Sequence, residues 1–472
     1  TPLGIVGIGS RHVRNRKEVS MRVLRSRLWL ALAGMCALTV VVVTASTPKV
    51  TFTDTRLKNG LRVIIAEDHA APVFSIAVSY NVGSRDERKG RTGFAHLFEH
   101  MMFKGSENVG PGEHFTLVFN NGGNMNGTTN KDRTLYFETL PSNQLELALF
   151  LEADRMRSLE ITKENLDNQR HAVQEERRLG LDNQPYGKTF EAIDDLAYDN
   201  FAYEHSVIGS MEDLNAASVE DVASFFKTYY APNNAVLAIV GDVKAADCLA
   251  RVRKHFEGVP SQTPPPPVDM TEPAQTAERR LTLDDQLARL TRLDLAYKIP
   301  PAMSPDEYPL SVLATVLAGG RSSRLYEQVV RQQQLAPTVF ANAGTFRGPG
   351  LFRVGGMVSP GKAVADLERA IDEEIEKVKT GTIADWEIQK ARRTARSAFV
   401  SSVGSSLSRA VLLSQYALFY DDPGLINTRA DKIAAVTARD VQQAARKYLT
   451  RENRTVVITN PRTAGTSNQG GL

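Results

Sequence analysis

Residues 93–106 read GFAHLFEHMMFKGS, which places His96, Glu99 and His100 inside five positions. On a helix turning about 100° per residue these three side chains fall within a roughly 100° arc. A histidine pair spaced i, i+4 can close on one tetrahedral ion with the glutamate beside it. Lys104 and Gly105 supply a basic last turn and a C′ glycine for such a helix. The plainer alternative is the solvated edge of an ordinary helix. A zinc site also needs a third protein ligand, with water in the fourth position if the site is catalytic. No histidine follows His255, so the other candidates in the first half are His114, His171, His205 and the carboxylates.

The stretch KENLDNQRHAVQEERRLG, residues 163–180, narrows the carboxylates. Leu166 and Val173 are seven apart and mark the buried face of a helix. Glu176, three beyond Val173 and four beyond Ala172, falls on that side, whereas Glu175 points about 160° away from Val173. A buried carboxylate must be paired or metal-bound. The pattern therefore favours Glu176 over Glu175 as a ligand, and leaves a salt bridge from Glu176 to Arg170 as an equal alternative.

These residues need a frame, and the 472-residue chain has length for two to four domains. Lys+Arg 57 against Asp+Glu 54 gives +3, but residues 1–46 hold seven basic side chains and one acid. Without that net +6 the body carries −3, which does not suit a nucleic-acid binder. The basic start precedes LWLALAGMCALTVVVV, followed by VTAS, so residues 1–45 read as a leader. Met21 would be the initiator of a signal peptide, Val43 and Ala45 would sit at −3 and −1, and the mature chain would begin near Ser46. Export, to the periplasm of a bacterium, is the expectation; a mitochondrial transit peptide and an uncleaved anchor helix are the rivals. Cys36 would leave with the leader and Cys248 would stand alone, so neither a disulfide nor a thiolate metal site is expected.

One boundary is plain. Residues 258–278, GVPSQTPPPPVDMTEPAQTAE, form a proline-rich extended linker between a first domain, 50–257, and a second, 279–461, with 462–472 as a flexible tail. The two domains look like copies. At a constant offset of 219, Asp221 meets Asp440, Val222 meets Val441, Tyr229 meets Tyr448, Asn234 meets Asn453 and Ile239 meets Ile458. Each copy reads as a helix capped by Ser218 or Thr437, a turn and a short apolar strand. LRVIIAE is a strand, and VFSIAVSY, with Phe74, Ile76, Val78 and Tyr80 alternating against small residues, reads as a half-buried one. The fold class is α+β: two homologous domains, each a mostly antiparallel sheet with helices packed on one face.

H-x-x-E-H is the inverzincin signature, and the chain resembles the insulinase/pitrilysin family of zinc peptidases. It is most similar to the short bacterial members related to the mitochondrial processing peptidase. The resemblance runs through LKNGLRVIIAEDH, QEERRLGLDNQPYG, YYAPNNAVLAIVGDV and LAGGRSSRLYEQVV. It implies one zinc ion per chain, held by His96, His100 and Glu176, with Glu99 as the base that takes a proton from water and returns it to the leaving amine. It also implies that the segment GGNMNGTTN is a sheet edge pairing with the substrate backbone through Asn126, Gly127 and Thr128. By composition alone that segment reads as a surface loop. The family's second domain offers an arginine and a tyrosine to the substrate; Arg324 is present, but Pro337 stands where the tyrosine belongs, and Tyr326 is two residues from Arg324. Proline has no hydroxyl to donate, so a homologous partner subunit carrying the arginine–tyrosine pair is expected. The expected function is thus a zinc-dependent endopeptidase, the catalytic subunit of a heterodimer. The rivals are a non-catalytic core subunit of the same superfamily, a processing-peptidase subunit of an organelle, and a peptide-binding module with structural zinc.

Overall fold

The computed structural model describes residues 49–302 and 304–462. The expected leader, 1–45, and all but the first residue of the expected tail lie outside them. Six strands form the first sheet: β1 (Thr53–Arg56), β2 (Arg62–Glu67), β3 (Val73–Tyr80), β4 (Asn124–Thr129), β5 (Thr134–Pro141) and β6 (Ala235–Gly241), in the order β1-β2-β6-β3-β5-β4. Five form the second: β7 (Arg279–Asp285), β8 (Arg292–Ile299), β9 (Thr338–Gly344), β10 (Gly350–Met357) and β11 (Arg454–Pro461), in the order β7-β11-β8-β10-β9. Each sheet is antiparallel except for one parallel pair, β2 with β6 and β7 with β11. Apart from β1, which has no counterpart, the order is the same in both, and several element starts keep the offset. Val73 and Arg292, Leu145 and Val364, Gly187 and Ser406, Val219 and Ala438, and Ala235 and Arg454 all stand 219 apart. Between the two sheets in sequence, the proline-rich segment carries no helix or strand over 260–276.

One face of the first sheet packs on its own helices. Phe74, Ile76, Val78, Tyr80 and Tyr136 are buried against side chains of helices Phe94–Met101, Leu145–Arg157 and Val219–Tyr229. The opposite face is not left to water. The helix Ser406–Tyr420, from the second half of the chain, lies on it and buries Ala410, Leu413, Tyr416 and Ala417 against Ile64, Ala77, Val236, Ala238 and Val240. Leu413 alone, fully buried, stabilises this contact by roughly 1.5–3 kcal/mol. The second sheet receives the return loan. Helix Gly187–Ala197, from the first half, buries Ile193 and Ala197 beside Ala296, Leu351 and Val457. These crossed helices begin at the offset-equivalent residues Gly187 and Ser406.

This crossing corrects the reading of β3 as half-buried. Its residues 74–80 are all buried, because Ser75, Ala77 and Ser79 face the lent helix. Ser75 Oγ lies 2.9 Å from Ser406 Oγ and Ser79 Oγ 2.8 Å from Ser414 Oγ. Small hydroxylated side chains let the helix approach while satisfying one another.

Candidate metal centre

The ligand helix spans Phe94–Met101 and ends about one turn earlier than Lys104 and Gly105 suggested. Its buried residues Leu97, Phe98 and Met101 turn it toward the core, with the Phe98 ring 4.2 Å from that of Tyr230. That orientation leaves His96 and His100 on the open side. The helix starts at Gly93, whose φ of 83° suits glycine, and whose Cβ would lie 2.5 Å from the Ile208 carbonyl oxygen. The buried Glu87 carboxylate accepts the N–H of Gly93 at 2.9 Å and of Ala95 at 2.8 Å. A carboxylate there satisfies first-turn donors and complements the helix dipole. Burial raises the pKa of Glu87, and His205, 2.9 Å away, counters it. His205, one of the candidate ligands, is thus engaged in supporting the helix.

The glutamate helix spans Lys163–Arg177 and starts at Thr162, whose side chain accepts from Asn165 N–H. It places Glu176 Oε2 3.4 Å from His100 Nε2 and 3.6 Å from His96 Nε2. For metal–ligand bonds of about 2.0–2.1 Å a tetrahedron has edges of roughly 3.4 Å, so the two distances to Glu176 suit one zinc ion, and all three donor atoms lie within 4.8 Å of one another. Burial, then the neighbouring His100, lowers His96 to about 4, which keeps its imidazole neutral as a ligand must be. Hydrogen bonding to His100 lowers the pKa of Glu176. The rival partner Arg170 instead donates to Leu214 O and Ala217 O and pairs with Asp167. Glu175 pairs with Arg178 at 2.8 Å. One premise is corrected: Ala172 is exposed and the Glu176 side chain is 50% exposed, so Glu176 sits at the rim of the buried face rather than within it.

Glu99 belongs to the same helix but to a different environment. It is buried, which raises its pKa, and Thr129 Oγ1 donates to its Oε2 at 2.6 Å. The segment GGNMNGTTN is the edge strand β4 and not a surface loop; it pairs with β5 and leaves its other edge unpaired. Met125 and Gly127 point inward while Asn126 and Thr128 are exposed or nearly so. The Gly127 N–H donates to its neighbour's Asn126 Oδ1 at 2.8 Å. Beside Glu99 and His100, a cavity of about 260 Å³ is lined by Phe103, Phe115, Asn126 and Gln169. It has room for a side chain. The roles of Thr129 and Glu87 were not read from the sequence. Thr129 had a signal, the strand alternation that puts it on one face with Gly127; Glu87 had none.

In the second half, Arg324 donates to Glu387 at 2.7 and 2.9 Å and to the Thr382 carbonyl at 2.9 Å. It is held by its own domain. Pro337 immediately precedes β9. At the offset of 219 from His96, Glu99 and His100 stand Thr315, Ala318 and Gly319, none of them a metal ligand.

A second set of potential donors lies inside the first domain: His114, Glu138 and Glu152, all buried, with donor atoms within 4.8 Å of one another. Arg155 pairs with Glu152 at 3.1 Å through Nε. Burial raises Glu138 to about 7 and lowers His114 to about 3. The Glu152–Arg155 pair is neutral overall, His114 is neutral, and Glu138 is protonated below about pH 7. The cluster balances without a cation, and His114 is a core histidine.

Known proteins match along the same span. The description "Insulinase (Peptidase family M16)" fits residues 62–210, and "Peptidase M16 inactive domain" fits residues 216–395. The chain is 30% identical over 408 residues to the zinc protease PqqE of Helicobacter pylori, covering 86% of this chain and 92% of that protein. It is 25% identical over 409 residues to a probable mitochondrial-processing peptidase subunit beta of Arabidopsis thaliana, covering 84% and 76%. In three dimensions it is similar to the crystal structure of a protease from Helicobacter pylori, with TM-score 0.83 and 29% identity, over 87% of this chain and 100% of that one.

Proposed function

The chain belongs to the insulinase family, peptidase family M16, and from that premise we propose that it is a zinc-dependent endopeptidase with one metal centre per chain. The observation that supports this reading is the pairing of three converging donors, His96, His100 and Glu176, with a fourth polar group, Glu99, held apart from them on Thr129. A structural zinc site would have no use for that separately held carboxylate. When bound, zinc supplies Lewis acidity at the scissile carbonyl and lowers the pKa of a water. His96 and His100 would hold it from consecutive turns of one helix, and Glu176 would close the set from the neighbouring helix Lys163–Arg177. Glu99 takes a proton from the attacking water and later delivers it to the leaving amine. Its burial suits both tasks, because it favours the neutral form that must exist between the two transfers.

The free edge of β4 receives the substrate as an added strand, through the backbone around Asn126, Gly127 and Thr128. Backbone recognition fits peptides and unfolded polypeptides of many sequences. Arg324 is engaged with Glu387 and the Thr382 carbonyl of its own domain, and Pro337 offers no hydroxyl. We therefore assign the chain to a heterodimer in which a homologous subunit contributes the arginine–tyrosine pair. The apolar leader supports export to the periplasm; similarity to a mitochondrial-processing subunit keeps the organelle as the second reading. Among the described residues no helix is long and apolar enough to cross a membrane. The non-catalytic subunit remains the rival for the reaction itself.

Peptide hydrolysis by wild type and Glu99→Gln, compared at equal zinc content, tests the reading. The variant should keep its metal and lose about 10²–10⁴-fold in kcat. Substantial turnover by Glu99→Gln would remove the base assignment.

A further inference from the structure

Buried carboxylates with free rotation make poor bases, because proton transfer requires a fixed atom within hydrogen-bond reach of the donor. Glu99 has three side-chain torsions and only its backbone is fixed by the ligand helix. What limits its carboxylate comes from β4. Gly127 lies directly against it: a Cβ there would sit 2.8 Å from Oε1, 3.0 Å from Cγ and 3.2 Å from the carboxyl carbon. Two residues along the same face, Thr129 Oγ1 donates to Oε2 at 2.6 Å. One residue makes room for the carboxylate and the other takes hold of it.

The strand that does this is itself braced. Arg133, just before the return strand β5, donates through Nη1 to both the Thr128 carbonyl and Thr128 Oγ1 at 2.6 Å. With its amide oxygen turned toward Arg133, Gln415 accepts from the same guanidinium at 3.2 and 3.3 Å. Gln415 sits on the lent helix Ser406–Tyr420. A continuous path of contacts therefore runs from the second half through Arg133 and β4 to the Glu99 carboxylate.

We propose that Thr129 is a positioning residue for Glu99, holding one carboxylate oxygen so that the other faces the reacting water, with Gly127 as the seat that permits this placement. The inference rests on the assignment of Glu99 as base. Because β4 is also the strand that would receive the substrate, an added substrate strand would stiffen the element that holds the base. The hydroxyl acts through Glu99 and touches neither substrate nor metal.

The test compares wild type, Thr129→Val, Thr129→Ser and Glu99→Gln in the full-length zinc-loaded protein, with its partner subunit if turnover requires one. Valine keeps the shape and β-branching of threonine and removes the donor; serine keeps the donor. Losing one hydrogen bond to a charged group should lower kcat about 10–100-fold in Thr129→Val. KM and zinc content should stay at wild-type values, and Thr129→Ser should recover most of the loss. Crystals of the metal-free variants give a second readout: one Glu99 rotamer in the serine variant, several in the valine variant. Wild-type kcat in Thr129→Val alongside an inactive Glu99→Gln would overturn the positioning role while leaving the base intact. A serine variant as impaired as valine, or zinc loss in the valine variant, would also overturn it by showing a purely structural role. Activity in Glu99→Gln would mean that the base assignment itself had failed.

Discussion

Glu99 and Glu176 are both carboxylates beside the same two histidines, and position alone separates the tasks proposed for them. Glu176 reaches the histidines from a neighbouring helix, whereas Glu99 shares their helix and is drawn toward β4. Glu176→Gln should therefore weaken metal retention by at least the about 10–100-fold that loss of a mere supporting partner costs, while Glu175→Gln, which breaks only a surface pair with Arg178, should do little. Zinc remaining after dialysis against a mild chelator measures both, and equal losses would contradict the assignment. Helical spacing did distinguish the two glutamates, but the supposed reason, burial, holds only in part. Glu138 offers a different kind of test. Its folded pKa of about 7 lies above the unfolded value near 4.5, so the folded state keeps a proton that the unfolded state releases. Its contribution is thus lost as pH rises from about 4.5 to 7. His114, lowered to about 3, acts oppositely and costs stability as pH falls below about 6.5. Glu138→Gln, which cannot ionise, should raise stability at pH 8 on the order of 3 kcal/mol and by less than about 1 kcal/mol at pH 5. Thermal melts at the two pH values check this; an equal shift at both would show that packing, not ionisation, governs the site.

The strands and helices were largely legible because their periodicity reports local burial. The repeat at an offset of 219, the linker and the glutamate helix all follow from patterns within a few dozen residues. What sequence could not supply was the partner on a second face. VFSIAVSY reads as one apolar and one small face, and only the lent helix explains why small residues are required there. For the same reason GGNMNGTTN looked like a loop: an edge strand with short polar outward residues lacks the apolar alternation that marks a strand. The closeness of β3 and the lent helix can be measured. Ser79→Leu would push a branched side chain against Ser414, which is 2.8 Å away hydroxyl to hydroxyl, and such overpacking should cost about 1–3 kcal/mol. Denaturant unfolding reads the loss, and an unchanged midpoint would mean that the helix yields without cost.

For the molecule as a whole, the proposed heterodimer turns on Pro337, which both copies in a homodimer would present. The purified chain should bind zinc yet cleave peptides slowly, and a homologous subunit bearing the arginine–tyrosine pair should raise kcat by about 10²–10³-fold with little change in zinc content. Full activity from the isolated chain would refute the heterodimer. The crossed helices set a further constraint. Because each half covers the other's sheet, the halves cannot swing apart like the leaves of a hinge without exposing two apolar faces at once. Within one chain, entry to the proposed metal centre would come through smaller motions or an opening that is always present; separation from the proposed partner subunit is the other route. Cut at the linker, the same contacts would describe a domain-swapped dimer of two single-sheet subunits. The proline-rich segment is then only a tether, and the duplicated chain is an exchange dimer made permanent by one covalent connection. The second half then completes the core of the first while carrying Thr315, Ala318 and Gly319 where the first carries His96, Glu99 and His100.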